Sequence, residues 1–238
     1  MSSELRHWRL EADRERLRKH RRWAEGGRQG AGRLELDGTN LDKAPFSGVY
    51  LVAARLVRCD MAHADLSLAS LDEVELEDCR AEEVIFAQAH MKSARIRGGR
   101  FVRADCRLTR FDGAQISAGD WSEGRFDRAH FEGSVWTDVV LARAPFWDAT
   151  MTEGHLIGCD LRAADLSQRD PKMDLARTKN TVFERCDLRG VNWAGRKLDG
   201  TRFIDCQLAE SIGRPVLEGA ISVVGGDVSQ ADLLARWK

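Results

Sequence analysis

One apolar residue recurs at every fifth position through more than half of this chain. Counted from Leu36 through Leu41, Phe46 and Leu51 to Leu161 and Leu166, all 27 members of the series are apolar. With 43% of the 238 residues hydrophobic, such a run has a chance probability on the order of 10⁻¹⁰. The residues two places before each centre, from Thr39 to Ala164, are all Ala, Cys, Gly, Ser, Thr or Val. Two columns with one spacing and different size rules imply two distinct steric environments. An α-helix would drift out of phase within two repeats, and a strand alternates every two residues. A chain that turns a corner every five residues satisfies both columns. The large residue points to the axis of a square coil, the small one packs inward beside the corner, and three positions remain for solvent. Successive coils then pair backbone to backbone at about 4.8 Å.

The register breaks once. From Leu166 to Phe183 is 17 residues, twelve beyond one repeat, after which Phe183, Leu188, Trp193, Leu198, Phe203 and Leu208 restore the period. These 33 centres give about eight coils and a rod of about 38 Å. Arg196 falls at a small-residue position, and a distorted last coil is expected there. Three segments follow: a basic N-terminal helix and linker over 1–33, the repeats over 34–210 with an insertion at 168–180, and a C-terminal cap over 211–238. Open solenoid ends expose core and unpaired backbone, so both need covering. Residues 4–25 read as a helix ending at Gly26-Gly27, with Leu10, Leu17 and Ala24 on one face and Trp8 and Trp23 able to dock on the first coil. Ser229 and Asp232 form a capping-box pattern before Leu233, Leu234 and Trp237.

Ala64-Asp65-Leu66, Cys159-Asp160-Leu161, Ala164-Asp165-Leu166 and Cys186-Asp187-Leu188 resemble the Ala-(Asp/Asn)-Leu-X-X pattern of the pentapeptide-repeat family. The resemblance spans residues 34–210. It implies an all-β solenoid, a right-handed quadrilateral β-helix with four repeats per coil, here closed by terminal α-helical caps. Its members share a shape and differ in partners. Bacterial members of this kind shield a target or neutralise a toxin, and quinolone-resistance relatives shield DNA gyrase by imitating the shape and charge of DNA.

Charge bears on that last role. The net charge is −1, but residues 1–33 hold ten Lys or Arg against five Asp or Glu, leaving the remainder at −6. An acidic belt at 72–83 adjoins a basic belt at 92–110 that includes Arg95, Arg97, Arg100, Arg103 and Arg107. Neighbouring belts one coil apart are expected to neutralise one another. A DNA mimic needs a nearly continuous negative surface, which the arginines interrupt. The basic helix reads either as a cap or as an arm for nucleic acid or an acidic partner. The basic belt lacks interleaved exposed aromatics for base stacking.

No catalytic or metal-binding pattern emerges. Cys59, Cys79, Cys106, Cys159, Cys186 and Cys206 contain no C-x-x-C pair. Five of them occupy small inward positions and Cys106 a centre, so they read as small buried hydrophobes. His90 and His130 lie two coils apart, about 9–10 Å, too far to share a metal. H-E-x-x-H, G-x-S-x-G and phosphate-loop sequences are missing. The expectation is a non-enzyme without cofactor or metal. No run of eighteen apolar residues and no secretory signal core occur, so no membrane insertion and a cytoplasmic location are expected.

The candidate site is therefore the break. Trp147 occupies an outward position one coil below Ser167, and a Trp beside a protruding loop suits a binding hot spot. Val135, Val140 and Ile157 are outward nearby, whereas Trp121, Trp136 and Trp193 are central and read as core. The expected partner-binding residues are Trp147, Arg169, Asp170, Lys172, Met173, Asp174, Arg177 and Lys179. The partner is expected to be a protein, an effector or toxin in an immunity role, with topoisomerase protection or nucleic-acid binding as alternatives. A homodimer through the C-terminal helix is also expected.

Overall fold

The computed structural model describes residues 6–7, 10–170 and 177–237. Each five-residue unit is closed by a turn. In the unit centred on Leu41, the N–H of Ala44 donates back to the Leu41 carbonyl at 2.9 Å. The third residue of that turn, Lys43, has φ +57°. This left-handed third residue recurs from unit to unit, which makes the chain turn a corner every five residues. Between corners, the backbone donors and acceptors that the turn leaves over pair with the next coil. Leu41 N–H donates to Asp60 C=O at 2.6 Å and Asp60 N–H to Thr39 C=O at 3.0 Å. The ladder thus satisfies backbone polarity while the centres fill the axis.

The result is a right-handed parallel β-solenoid of about nine turns with a short helix at each end. One face carries a sheet of ten parallel strands, from Glu35–Asp37 to Ser222–Val224. Its register is twenty residues per coil, as in Leu56↔Leu76 and Leu76↔Ile96. The pairing runs beyond residue 210, because Arg202–Ile204 still offers an edge that Ser222–Val224 fills in parallel. That continuation accounts for nine turns where the repeat count gives eight.

The axis is packed with the centres. Phe101 stacks on Trp121 at 4.0 Å between ring centroids, and Phe126 on Phe146 at 4.6 Å. Trp121, Trp136 and Trp193 are buried. Large centres require the smallest neighbours: a Cβ on Gly119 would lie 2.9 Å from Trp121 Nε1, and one on Gly124 3.1 Å from the Phe126 ring. All six cysteines are buried and unbonded to one another. The thiols of the five at small inward positions donate to backbone carbonyls, as Cys59 Sγ does to Val57 C=O at 3.5 Å.

The insertion is shorter than the apolar count suggests. Across it, Phe183 pairs with Leu156, an offset of 27 residues rather than twenty. Seven residues are therefore inserted, not twelve. The centre passed over by an apolar criterion is Thr178, which is buried and in register with Leu198. The coil that holds Arg196 keeps the twenty-residue register with the coil before it, and the distortion falls on its far side, where Leu198 pairs with Leu217 at an offset of nineteen. Lys197–Asp199 pairs on one side with Arg177–Lys179 and on the other with Val216–Leu217.

Both ends are covered. Helix α1 spans Leu10–Glu25 and begins later than the expected residue 4. Arg6–His7 is instead an extended pair that adds to Thr39–Asn40 in parallel, covering a free edge of the first coil. Gly27, at φ +90°, follows α1, and Arg28 N–H returns to Trp23 C=O at 3.0 Å. This closure needs a left-handed residue. His20, on the inner face of α1, is buried, accepts from Leu34 N–H at 3.0 Å and stacks on Trp23 at 5.7 Å. Trp8 lies outside the described residues. Helix α2, Gln230–Arg236, is capped by Ser229, whose Oγ accepts from Asp232 N–H at 3.2 Å. Leu233 and Trp237 are buried against the last coil, Trp237 at 6.1 Å from the Trp193 ring.

Candidate functional site

The insertion leaves the rod at the corner after Leu166. In the coil below, Phe146 points to the axis, so Trp147 must point out, and Asp148 takes the left-handed third position at φ +56°. Trp147 is half-buried rather than free. Its Nε1 donates to Asp165 Oδ2 at 2.7 Å, and the Arg169 guanidinium lies 3.1 Å from the ring centroid. A cation over an indole face is held by the ring quadrupole. Arg169 also approaches Asp165 at 3.5 Å, so indole, guanidinium and carboxylate form one cluster. Burial pushes the Asp165 carboxyl up, but hydrogen bonds from Ser167 and Trp147 and the Arg169 charge outweigh it. They hold the group below the usual carboxylate range. Asp170, next in sequence to Arg169, pairs with Arg128, 3.7 Å away.

The structure thus brings Trp147, Arg169 and Asp170 together. Arg177 and Lys179 stand one corner further on, on either side of the buried Thr178, with Lys179 3.9 Å from Asp199. Lys172, Met173 and Asp174 lie outside the described residues. Sequence reasoning missed Arg128, Asp148 and Asp165. A twenty-residue coil map gives the signal, since Arg128 and Asp148 are stacked third-position residues. Val135, Val140 and Ile157 are half-buried on neighbouring faces.

The charged belts pair across coils. Arg95 meets Glu75 at 3.8 Å, Arg100 meets Glu82 at 3.4 Å and Arg103 meets Glu83 at 2.7 Å. Arg107 and Arg110 pair within their own coil with Asp105 and Asp112. Among the described residues no group of three or more His, Cys, Asp or Glu is arranged to hold a metal ion. No described helix is long and apolar enough to cross a membrane.

A family model described as Pentapeptide repeats, in 8 copies, matches residues 35–67 and 50–88. The coil register it covers continues without a break to Leu166 and resumes after the insertion. Residues 35–88 of the chain match the pentapeptide-repeat family. Among solved pentapeptide-repeat structures, the chain is similar to HetL, involved in heterocyst differentiation regulation in the cyanobacterium Nostoc sp. strain PCC 7120. Identity to HetL is 17% over 80% of this chain and 91% of that one, at TM-score 0.31. It is also similar to trypsin-treated QnrB1, a plasmid-mediated fluoroquinolone resistance protein. There the identity is 18% over 85% of this chain and 95% of that one, at TM-score 0.47. No curated protein matches.

Proposed function

We propose that this protein is a non-catalytic binding rod that shields or neutralises a bacterial partner protein, in the manner of an immunity or self-protection factor. The observation that carries the reading is the insertion, the one break in register along the repeats, set against the Trp147–Arg169–Asp165 cluster. Residues 168–180 hold four Lys or Arg and two Asp, so the insertion and the strand Arg177–Lys179 that follows it together carry a net charge of +2, supplied by Arg177 and Lys179, which suits a partner surface rich in carboxylates. Trp and Arg are among the residue types enriched at interface hot spots. Lys172, Met173, Asp174, Arg177 and Lys179 complete the proposed contact set.

The test is affinity capture from the source organism's lysate with the wild-type chain and a variant lacking residues 169–175. That deletion leaves Leu166-Ser167-Gln168-Ala176-Arg177-Thr178, an uninterrupted repeat. A single effector retained by the wild type and lost with the deletion supports neutralisation. Gyrase or topoisomerase subunits in its place would establish the alternative of topoisomerase shielding. Against that alternative stands the cross-coil pairing of the arginine belt, which leaves no continuous acidic surface. Nucleic-acid binding through α1 and the belt predicts a salt-sensitive DNA or RNA shift. Exposed Ile212, Val216, Leu217 and Val224 at the C-terminal end support self-association there, which light scattering measures.

A further inference from the structure

The two legs of the insertion meet buried side chains of opposite charge. On the incoming leg stands Asp148, 4% exposed. Its Oδ1 accepts from the backbone N–H of Arg169 at 2.9 Å and of Asp170 at 3.2 Å. On the outgoing leg stands Arg196, fully buried. Its Nε donates to Thr178 Oγ1 at 2.6 Å and its Nη2 to the Arg177 carbonyl at 3.3 Å. Arg196 Nη1 has no hydrogen-bond partner.

Packing alone does not explain Arg196. The position two before a centre takes Ala, Cys, Gly, Ser, Thr or Val everywhere from Thr39 to Ala164, and a small residue at 196 would fill it at no electrostatic cost. Burying a guanidinium with one orphan N–H costs several kcal/mol. Burial pushes the guanidinium down to about 9, and the charge of Asp148 opposes that shift only in part. The centre beside Arg196 is Thr178, polar where the column is otherwise apolar through the first 27 centres. Both departures from the repeat fall in the coil that follows the insertion, and both bear on its outgoing leg.

We propose that Asp148 and Arg196 are positioning residues that fix the two legs of the insertion in place, so that partner contacts start from a set geometry. The partner clause rests on the function proposed above; the grip on the legs does not. Preorganisation of this kind lowers the ordering cost of association.

Amide hydrogen exchange on the full chain, with no partner added, tests the grip. Asp148→Ala is expected to speed exchange at Arg169 and Asp170 by about tenfold or more, since it removes a charged acceptor from two N–H groups. Ladder amides such as Ile96 and Ile116 should be unchanged. Asp148→Asn keeps an oxygen in place and should restore most of the protection, whereas Asp148→Leu, similar in size but without an acceptor, should not; a purely steric role would have Leu rescue as well as Asn. Arg196→Met paired with Thr178→Val makes the column apolar and keeps it packed. That double variant should fold, with thermal stability equal to or above wild type, while trypsin cuts after Arg177 faster. Unchanged exchange at Arg169 and Asp170 in Asp148→Ala would overturn the proposal. So would equal acceleration along the whole ladder, because the residue would then be core structure and nothing more. If the legs loosen as stated but the partner binds the variants as tightly as wild type, the grip stands and the loop's binding role fails.

Discussion

At the scale of single residues, the fold rests on a left-handed backbone at the third position of each turn. Most L-residues resist that region by about 1–2 kcal/mol, and Gly, Asn and Asp resist it least. Leu68 occupies such a position at φ +59° with 59% of its surface exposed, so little burial offsets the strain. Leu68→Asn is expected to raise stability by about 0.5–1 kcal/mol in urea denaturation; a loss would contradict the backbone account. Two glycines separate strain from clash. At Gly133, φ +62°, an added Cβ meets nothing within 4 Å, whereas at Gly99, φ +84°, it would lie 2.6 Å from the Cys79 carbonyl. Gly133→Ala should cost about 1 kcal/mol and Gly99→Ala about 2–4 kcal/mol. The inward columns are legible in the sequence because the core fixes side-chain volume. The left-handed column is legible only through glycines such as Gly38, Gly48, Gly98 and Gly113, since a φ angle tolerated at a price leaves a weak compositional trace.

At the scale of elements, the caps and the insertion decide where the rod begins and is interrupted. The N-terminal cap carries a pH dependence. Burial on the inner face of α1 lowers His20, the Arg33 charge lowers it further, and the nearby Val52 backbone opposes both. The unfolded chain therefore takes up a proton more readily than the folded one. The cap's contribution is complete above about pH 6.5, the ordinary histidine value, and is lost as pH falls through the depressed folded value. Protonation also removes the Nδ1 acceptor used by Leu34 N–H. The protection factor at Leu34, its exchange rate taken relative to the base-catalysed intrinsic rate at each pH, should thus fall between pH 6.5 and 5 in the wild type, and a pH-independent protection factor would refute the assignment. Both caps are legible from glycine and capping-box signals. The start of α1 is not, because Arg6 and His7 are drawn into a strand by an edge that exists only once the coil has formed. The insertion length is misread for a related reason: Thr178 breaks the apolar rule only because Arg196 donates to it.

At the scale of the whole molecule, a rod of ten paired strands measures about 43 Å along its axis, and each coil contacts only its neighbours. Local changes therefore stay local, which is why an insertion can be carried at one corner without disturbing the coils on either side. It follows that removing residues 169–175 should leave the thermal midpoint within a few degrees of wild type. The candidate site is legible in part: the break and the outward Trp147 are visible in the sequence. Its closure by Arg169 and Asp165 depends on which side chains meet across a corner, and periodicity does not encode that. The most direct test of the binding account is calorimetric titration of the captured partner against wild type, Trp147→Ala and the 169–175 deletion. Affinity should fall about thirtyfold or more in both variants with thermal midpoints preserved, as loss of a hot spot requires. Equal affinity in all three would contradict it.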